Sequence, residues 1–324
     1  MPARPAQAGR EITRESGGRS RSTWIWIAAI ILTVAAAAYQ RMLGPTSPVF
    51  GRVHLGGREV RYMLPRTHGG ADDCPVSIAV PDSSDHGWIL HRRYRTRDEW
   101  SQLPMTWKNG RLHGAIPHQP PGGKVAYRIF LSSSEVVSGG ESPSITSQQV
   151  GVPPSGPLVV RFRGSVPAAV MIPHIALMFL GMLWSNRAGF EALRPRGDPL
   201  RLAGWSLILL AAGGLVLGPA VQWYSFGVAW TGFPYGTDLT DNKTLIAVVA
   251  WLAAVLLSLA ERRRTGSGSS RVLRVAVVCA ALVTLLAFAI PHSVRGTELD
   301  YSKTGGTTGT TGQTQPDSGR APAP

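Results

Sequence analysis

The chain has 324 residues, of which 44% are hydrophobic and only 16% are charged. That charged fraction is well below the roughly 25% of soluble domains, and the apolar residues form long runs, so the composition is that of a membrane protein rather than a soluble domain. The formal net charge is +14, but much of the arginine flanks the apolar runs. This distribution orients membrane proteins and argues against nucleic-acid binding.

Residues 1–23 are polar and rich in arginine, and we expect a disordered cytoplasmic arm there. Residues 24–43 follow as an apolar run that opens with two tryptophans, which suit a membrane interface. The alternative is a secretory signal peptide cleaved within AAAAYQ. The run is long for a signal peptide, so a retained transmembrane helix is favoured.

Residues 45–165 differ completely in character. Short runs of alternating polarity, such as RVHLGGREVRYML and VSIAV, are separated by clusters of Pro, Gly, Asp and Ser. Period-two alternation at this spacing predicts an antiparallel β-sandwich. Within this region the segment AIPHQPPGGKVAYRIFLS (115–132) resembles the strand–turn–strand corner of fibronectin type III and immunoglobulin-like modules. The resemblance implies that Tyr127 ties down the corner. The inter-sheet disulfide of immunoglobulin domains is absent.

The basic run HRRYRTR (91–97) lies in the same region. If it forms a strand, Arg93, Arg95 and Arg97 share one exposed face. The alternative is a binding face for an anionic partner such as lipid headgroups or an acidic glycan.

Four more apolar segments follow the β region, and each is long enough, or nearly so, to cross a membrane as a helix. They cover residues 166–185, 200–219, 244–260 and 272–290, within a membrane domain of residues 166–291. The tail, residues 292–324, is of low complexity and is predicted to be disordered. The predicted fold class is therefore an α+β membrane protein with five transmembrane helices and an extracytoplasmic antiparallel β-sandwich between helices 1 and 2.

The distribution of positive charge predicts the orientation. The loops after the second and fourth apolar segments are rich in arginine, whereas residues 219–243 contain a single basic residue, Lys243. By the positive-inside rule the N-terminus is inside, and the β domain, the 219–243 loop and the C-terminus are outside. Abundant Arg, Ala and Gly are typical of high-GC bacteria, so the expected location is a bacterial inner membrane.

Catalytic signatures are missing from the sequence. Cys74 falls in the β region and Cys279 in the last apolar segment, so they are not expected to pair, and no CxxC or zinc spacing exists. Patterns such as GxSxG, HExxH and the phosphate loop are also absent. This argues against the common hydrolases and nucleotide-driven pumps.

Three separate segments meet on the predicted outer side. They contain His174, the aromatic loop between the third and fourth helices, and the stretch after the fifth helix with His292. An ionisable group inside a membrane segment is a functional candidate. The alternative for His174 is a hydrogen bond to a neighbouring helix or backbone carbonyl.

The aromatic loop combines Trp, Tyr and Phe residues with glycines, which indicates a defined backbone path. An aromatic belt at the lipid headgroups is the alternative. At its end, Thr240 or Asp241 is expected to cap the fourth helix, and the alternative is a cation or substrate site.

The order His174, aromatic loop, His292 resembles that of the haem-handling membrane proteins of cytochrome c maturation. The resemblance implies that His174 and His292 are axial ligands and that Trp230 belongs to the loop. The dense tryptophan–aspartate core of that family is absent. A b-type haem held by the two histidines is the simpler version. A divalent metal held by Asp238, Asp241, His292 and Glu298 is a third alternative.

The sequence is compatible with three functions. The first is a binding or assembly module that meets a protein partner outside the membrane, with the helices as anchor. The second is a membrane redox or haem-handling protein. The third, a transporter, is weakest because the helix interiors carry no Asp, Glu, Lys or Arg. Gly213 or Gly214, with Gly218, predicts a close approach of the third helix to a neighbour.

Overall fold

The computed structural model describes residues 8–42, 44, 46–80, 82–137, 144–194, 197–266, 270–290, 299 and 301. Within them, five helices are long and apolar enough to cross a membrane, as the sequence predicts. We number them in chain order: helix 1 is Ala8–Met42 with the apolar part Ser22–Met42, helix 2 is Ala168–Ala192, helix 3 is Leu200–Phe226, helix 4 is Leu239–Thr265 and helix 5 is Arg271–Ala289.

Several helix ends depart from the predicted ranges. Helix 1 begins at Ala8, so the predicted disordered arm is helical over its described part. Its alanine, arginine and glutamate residues are good helix formers, and a helix propagates readily from an apolar run that is already helical. Helix 2 continues to Ala192, and helix 3 continues to Phe226. Helix 3 stops there because Gly227 adopts a left-handed conformation, with φ of 74°.

Trp251 anchors the contact between helices 4 and 5. Its side chain is fully buried, and its indole Nε1–H donates to the hydroxyl of Thr284 at 2.8 Å. Thr284 in turn donates to the carbonyl of Ala280 at 2.9 Å. These polar groups are therefore paired inside an apolar bundle, where an unpaired one is costly.

Glycines let helix 3 approach two neighbours. A Cβ atom on Gly213 would lie 3.0 Å from the Cβ of Leu177 on helix 2. On Gly214 it would lie 2.4 Å from Cγ2 of Thr244 on helix 4. At Gly218 the nearest atom is 3.7 Å away, which is ordinary contact. The predicted close packing thus belongs to Gly213 and Gly214, and Gly218 has no part in it.

Between helices 1 and 2 the described residues form eleven strands in three sheets. They are β1 Val49–Leu55, β2 Arg58–Leu64, β3 Thr67–Gly69, β4 Cys74–Ala79, β5 His86–Arg93, β6 Ser101–Pro104, β7 Thr106–Lys108, β8 Arg111–Ile116, β9 Lys124–Val137, β10 Ser144–Val152 and β11 Leu158–Arg163. The strand orders are β1-β2, β3-β11-β9-β5-β6 with β10 also on β9, and β4-β8-β7.

The strand pairs are antiparallel, as predicted, except that β3 runs parallel to β11. A three-residue edge strand such as β3 is too short to show alternation in sequence. The three sheets share one hydrophobic core, to which each contributes side chains that are at most 1% exposed. Examples are Leu64, Ile78, Leu112, Ile129 and Phe162.

Tyr127 ties down a part of the chain outside the predicted strand–turn–strand corner. The residue is fully buried in β9, and its hydroxyl donates to the carbonyl of Pro65 at 2.7 Å. Burial raises the pKa of the phenol, so it stays protonated and keeps this bond. The link holds the chain between β2 and β3 against the core of the domain.

The basic run does not form one strand. Strand β5 ends at Arg93, and Arg95 and Arg97 lie in the loop of residues 94–100 before β6. Arg95 adopts a φ of 59°, which turns the chain, and Arg93 pairs with Asp98 at 2.6 Å. The prediction that Arg93, Arg95 and Arg97 share a strand face is therefore wrong.

The β domain packs against the C-terminal end of helix 3. The backbone N–H of Gly164 donates to the carbonyl of Ser225 at 3.0 Å. A Cβ atom on Gly164 would lie 2.2 Å from the carbonyl oxygen of Tyr224, so only glycine fits at this contact.

The chain beyond helix 5 also returns to the β domain. Leu299 N–H donates to the carbonyl of Gly122 at 3.1 Å. The Tyr301 hydroxyl accepts from the Lys124 N–H at 3.0 Å and donates to the Lys124 carbonyl at 3.1 Å. The ends of helices 1, 3 and 5 and the starts of helices 2 and 4 therefore face the β domain. We call this the β-domain end of the bundle.

Candidate functional site

A cavity of about 600 Å³ lies where the β domain meets the β-domain end of the bundle. The chain from the end of helix 1, the β2–β3 connection and strand β11 form one wall, and helices 2, 3 and 4 form the other. Three of the predicted cofactor- or metal-binding residues line it, namely His174, Asp238 and Asp241. The structure therefore brings these three together, although they come from different segments.

Four arginines line the first wall of the cavity: Arg41, Arg66, Arg161 and Arg163. Arg161 is only 8% exposed, and its guanidinium carbon lies 4.0 Å from the centroid of the Phe226 ring. In the described part of the chain, no carboxylate pairs with Arg41, Arg66 or Arg163. This wall is strongly basic, and the charges of Arg41, Arg66 and Arg163 are not neutralised by ion pairs in the described part of the chain.

The helical wall of the cavity carries both polar and apolar side chains. Met171 and Met178 of helix 2 and Val221 of helix 3 line it, together with the small residues Gly214 and Gly218. Methionine is unbranched and flexible, so such a surface adapts to apolar chains of varied shape. The cavity is thus basic on one side and has an apolar patch on the other, around Met171, Met178 and Val221.

The two carboxylates in the cavity are bound by the protein's own donors. Asp238 is the N-cap of helix 4 and accepts from the backbone N–H of Thr240 at 2.7 Å and of Asp241 at 3.3 Å. The prediction that Thr240 or Asp241 caps the helix is therefore wrong. Helix 4 begins at Leu239, so the cap is the residue before it.

Asp241 closes the aromatic loop instead. Its Oδ2 accepts from the backbone N–H of Thr231 at 2.7 Å and from the Thr231 hydroxyl at 3.2 Å. Gln222 of helix 3 also donates to the Thr231 hydroxyl at 2.7 Å. These bonds join the loop to helices 3 and 4. The role of Asp241 in the structure is to position the loop.

His174 lies on helix 2 opposite a π-helical segment of helix 3, Ala211–Leu217. Its Nδ1 is 2.9 Å from the carbonyl oxygen of Gly213, and since a carbonyl only accepts, Nδ1–H donates. The alternative in which His174 bonds a backbone carbonyl is confirmed. The neutral imidazole then keeps a lone pair on Nε2, and the residue lines the cavity.

Trp230 belongs to the loop and does not line the cavity. Its indole N–H donates to the carbonyl of Phe233 at 3.0 Å, and Asn242 accepts from the Phe233 N–H at 2.7 Å. Gly232 and Gly236 have no room for a side chain. The predicted defined backbone path is confirmed, while the rings of Phe233 and Tyr235 are 69% and 84% exposed.

His292 and Glu298 lie outside the described residues, as does most of the C-terminal tail. Among the residues that are described, no group of three or more His, Cys, Asp or Glu side chains is arranged to hold a metal ion. The predicted ligands Asp238 and Asp241 are bound to backbone donors. The metal-site prediction therefore has no assembled ligand set in the described chain.

Sequence reasoning missed the arginine cluster, because its members lie in three separate segments. One signal could have found part of it. Arg41, Arg161 and Arg163 adjoin apolar runs on the predicted outer side, where the positive-inside rule expects few arginines. Their position against that trend marks them as candidates for binding.

Comparison of the chain with protein-family models, with curated proteins and with solved structures finds no match. The resemblances to fibronectin type III modules and to haem-handling proteins gain no support from these comparisons. The function is therefore argued from the site alone.

Proposed function

We propose that the protein is a membrane-anchored binding module whose cavity holds an anionic amphiphile, meaning a molecule with one negatively charged head and an apolar chain. The observation that carries the proposal is the arginine cluster of Arg41, Arg66, Arg161 and Arg163 on one wall of a cavity of about 600 Å³. The opposite wall includes the apolar side chains of Met171, Met178 and Val221.

The charge of the cavity favours an anion. Guanidinium groups present several N–H donors in a planar fork that matches a carboxylate or a phosphate. The two cavity carboxylates, Asp238 and Asp241, already accept from backbone N–H groups. Four arginines outnumber these two carboxylates in the lining, so the net charge around the cavity is positive and attracts an anionic headgroup to the arginine wall.

The apolar patch of the helical wall favours a ligand with a hydrocarbon chain. Met171, Met178 and Val221 can cover such a chain, since burying apolar surface contributes about 25 cal/mol per Å². Pockets for small ligands in general combine mainly apolar walls with a few fixed polar groups.

The proposed orientation places this site at the outer leaflet of a bacterial inner membrane, with the N-terminus inside and the C-terminus outside. Arginines in the loops after helices 2 and 4 support this orientation. Membrane lipid surrounds the helices, and the β domain presents its outer sheet faces to a protein partner. A ligand could reach the cavity from the headgroup layer.

Photolabelling tests the proposal. The full chain in nanodiscs is exposed to a diazirine-bearing fatty acid or to its methyl ester, which differs only in charge. Labelled residues are then mapped by mass spectrometry. We expect the acid to label the helical wall around Met171, Met178 and Val221, and the ester to label it far less.

Variants show whether the arginines are responsible. Arg66→Gln combined with Arg163→Gln should lower cavity labelling by the acid at least tenfold, since two charge-assisted contacts are worth about 1.5–3 kcal/mol each. Arg111→Gln is the matched control, because Arg111 bonds Ser77 in the β4–β8 sheet away from the cavity. Equal labelling by acid and ester, or unchanged labelling in the double variant, contradicts the proposal.

Haem handling is a second candidate function, and one observation favours it. His174 donates through Nδ1 to a backbone carbonyl, which is the arrangement that orients metal-ligating histidines. We propose that a b-type haem would then use Nε2 of His174, with His292 as the second ligand.

A visible spectrum of protein purified in mild detergent after expression with haem supplied tests this second candidate. A Soret band that is lost in His174→Ala would place haem at the cavity. A colourless preparation would end this alternative, and it would leave the anionic amphiphile unaffected.

A further inference from the structure

We propose that the loop of residues 94–100, together with Arg92 and Lys124, is a docking surface for anionic phospholipid headgroups. It lies outside the cavity and does not depend on the cavity's ligand. We call this set the basic rim.

The basic rim pairs cations with aromatic rings. The guanidinium carbon of Arg92 lies 4.6 Å from the Trp100 ring centroid, and that of Arg95 lies 5.4 Å from the Tyr94 centroid. Lys124 Nζ lies 5.9 Å from the Tyr94 centroid. Arginine, lysine and tryptophan are the side chains that suit the membrane interface, since each combines an apolar body with a polar tip.

Contacts place the basic rim at the side of the β domain that faces the bundle. Tyr94 N–H donates to the Lys124 carbonyl at 2.8 Å, so the loop is fixed to the start of β9. The turn just before β9 reaches the end of helix 3: a Cβ atom on Gly164 would lie 3.6 Å from Cγ of Pro121 and 2.2 Å from the Tyr224 carbonyl oxygen.

Exposed aromatic rings mark the level of the lipid headgroups at this end of the bundle. Trp223 and Tyr224 in the last turn of helix 3 are 59% and 45% exposed, and Phe233 and Tyr235 follow in the loop. Tryptophan and tyrosine concentrate at membrane–water interfaces. The basic rim is therefore next to the headgroup layer rather than at the distal end of the β domain.

The net charge of the basic rim determines which class of lipid headgroup it binds. Residues 92–100 contain four arginines against the two acidic residues Asp98 and Glu99. With Lys124 the excess is positive. Clusters of basic side chains near a membrane surface bind anionic headgroups, and salt screens that attraction.

The test uses the full chain with a nitroxide spin label. The label is attached at Ser101→Cys, an exposed position beside Trp100, and Cys279 is replaced in the substitution Cys279→Ala. Cys74 can stay, because it is 1% exposed and burial raises the pKa of its thiol to about 11, so it does not react. The protein is placed in nanodiscs of phosphatidylcholine, alone or mixed with phosphatidylglycerol. Relaxation by a nickel-chelating lipid headgroup then reports the distance of the label from the headgroups.

We expect stronger relaxation of the label in discs that contain phosphatidylglycerol than in discs of phosphatidylcholine alone, and we call this difference the gain. The gain should be lost in the double variant Arg95→Gln with Arg97→Gln, and it should also be lost at high salt. Lys108→Gln is the control that removes a charge outside the basic rim, in the hairpin of β7 and β8, and it should leave the gain intact. Arg163→Gln, which removes a charge from the cavity, should also leave the gain intact. Glu99→Gln should increase the gain. Relaxation that is the same in both kinds of disc, or a gain that survives Arg95→Gln with Arg97→Gln, overturns the proposal.

Discussion

Nδ1 of His174 lies 2.9 Å from the carbonyl oxygen of Gly213, within the π-helical segment of helix 3. The same carbonyl also accepts from the backbone N–H of Gly218, five residues further along. A π-helical turn disturbs the regular ladder of backbone hydrogen bonds, and segments of this kind are frequent at functional sites. His174 therefore links helix 2 to an irregular part of helix 3 beside the cavity.

Replacing His174 with leucine should destabilise the bundle, because it removes this donor from an apolar environment. We expect a loss of about 1 kcal/mol in the free energy of unfolding, the typical net value of one hydrogen bond. Thermal unfolding in mild detergent measures it. His174→Gln is the matched control, since its amide can still donate and should recover part of the loss. Equal stability of the wild type and the leucine variant would mean that the bond contributes nothing.

Gly214→Leu should destabilise the contact between helices 3 and 4. The first side-chain carbon alone would lie 2.4 Å from Cγ2 of Thr244, so the helices must separate. Overpacking of this kind costs about 1–3 kcal/mol. The midpoint of thermal unfolding in mild detergent should fall.

The control for that variant is Gly204→Ala, also in helix 3. No atom lies within 4 Å of a Cβ atom at Gly204, and alanine is favoured over glycine in a helix by up to about 1 kcal/mol. We expect unchanged or higher stability there. If Gly214→Leu behaves like Gly204→Ala, then that face of helix 3 does not pack against helix 4.

Tyr301 should make the attachment of the C-terminal segment to the β domain sensitive to alkaline pH. Burial raises the pKa of its phenol, although the hydrogen bond from Lys124 N–H and the charge of Arg93 oppose this. The phenol can donate to the Lys124 carbonyl only while it is protonated. Its stabilising contribution is therefore fully present below the ordinary tyrosine pKa of about 10, and it is lost as pH rises through the higher value of the folded protein.

Comparison with Tyr301→Phe isolates this effect. The wild type should be more stable than the variant by about 1 kcal/mol below pH 10, and the difference should vanish at higher pH. Chemical unfolding at a series of pH values measures both proteins. Equal stability of the two proteins below pH 10 would show that the hydroxyl bonds to Lys124 do not contribute, and a difference that persists at high pH would contradict the predicted pH dependence.

Some kinds of structural element were predicted from the sequence more accurately than others. The five apolar helices were predictable because a run of about 20 apolar residues is a local property of the sequence. The ends of the helices were less predictable. Helix 4 starts one residue after Asp238, and this start determines which acidic residue is the N-cap. The basic run looked like a strand by alternation, but the turn at Arg95 ends β5 early.

The sequence by itself determined the number of apolar helices, the place of the β domain between helices 1 and 2, and the defined path of the aromatic loop. Hydropathy, alternation and glycine content act over short stretches of chain, so they are visible without a fold. Only the tertiary structure decided the candidate site. Arg66 and Arg163 meet because β3 pairs with β11, and His174 meets Gly213 because two helices pack. Contacts between distant segments depend on how whole elements pack, and no local pattern encodes them.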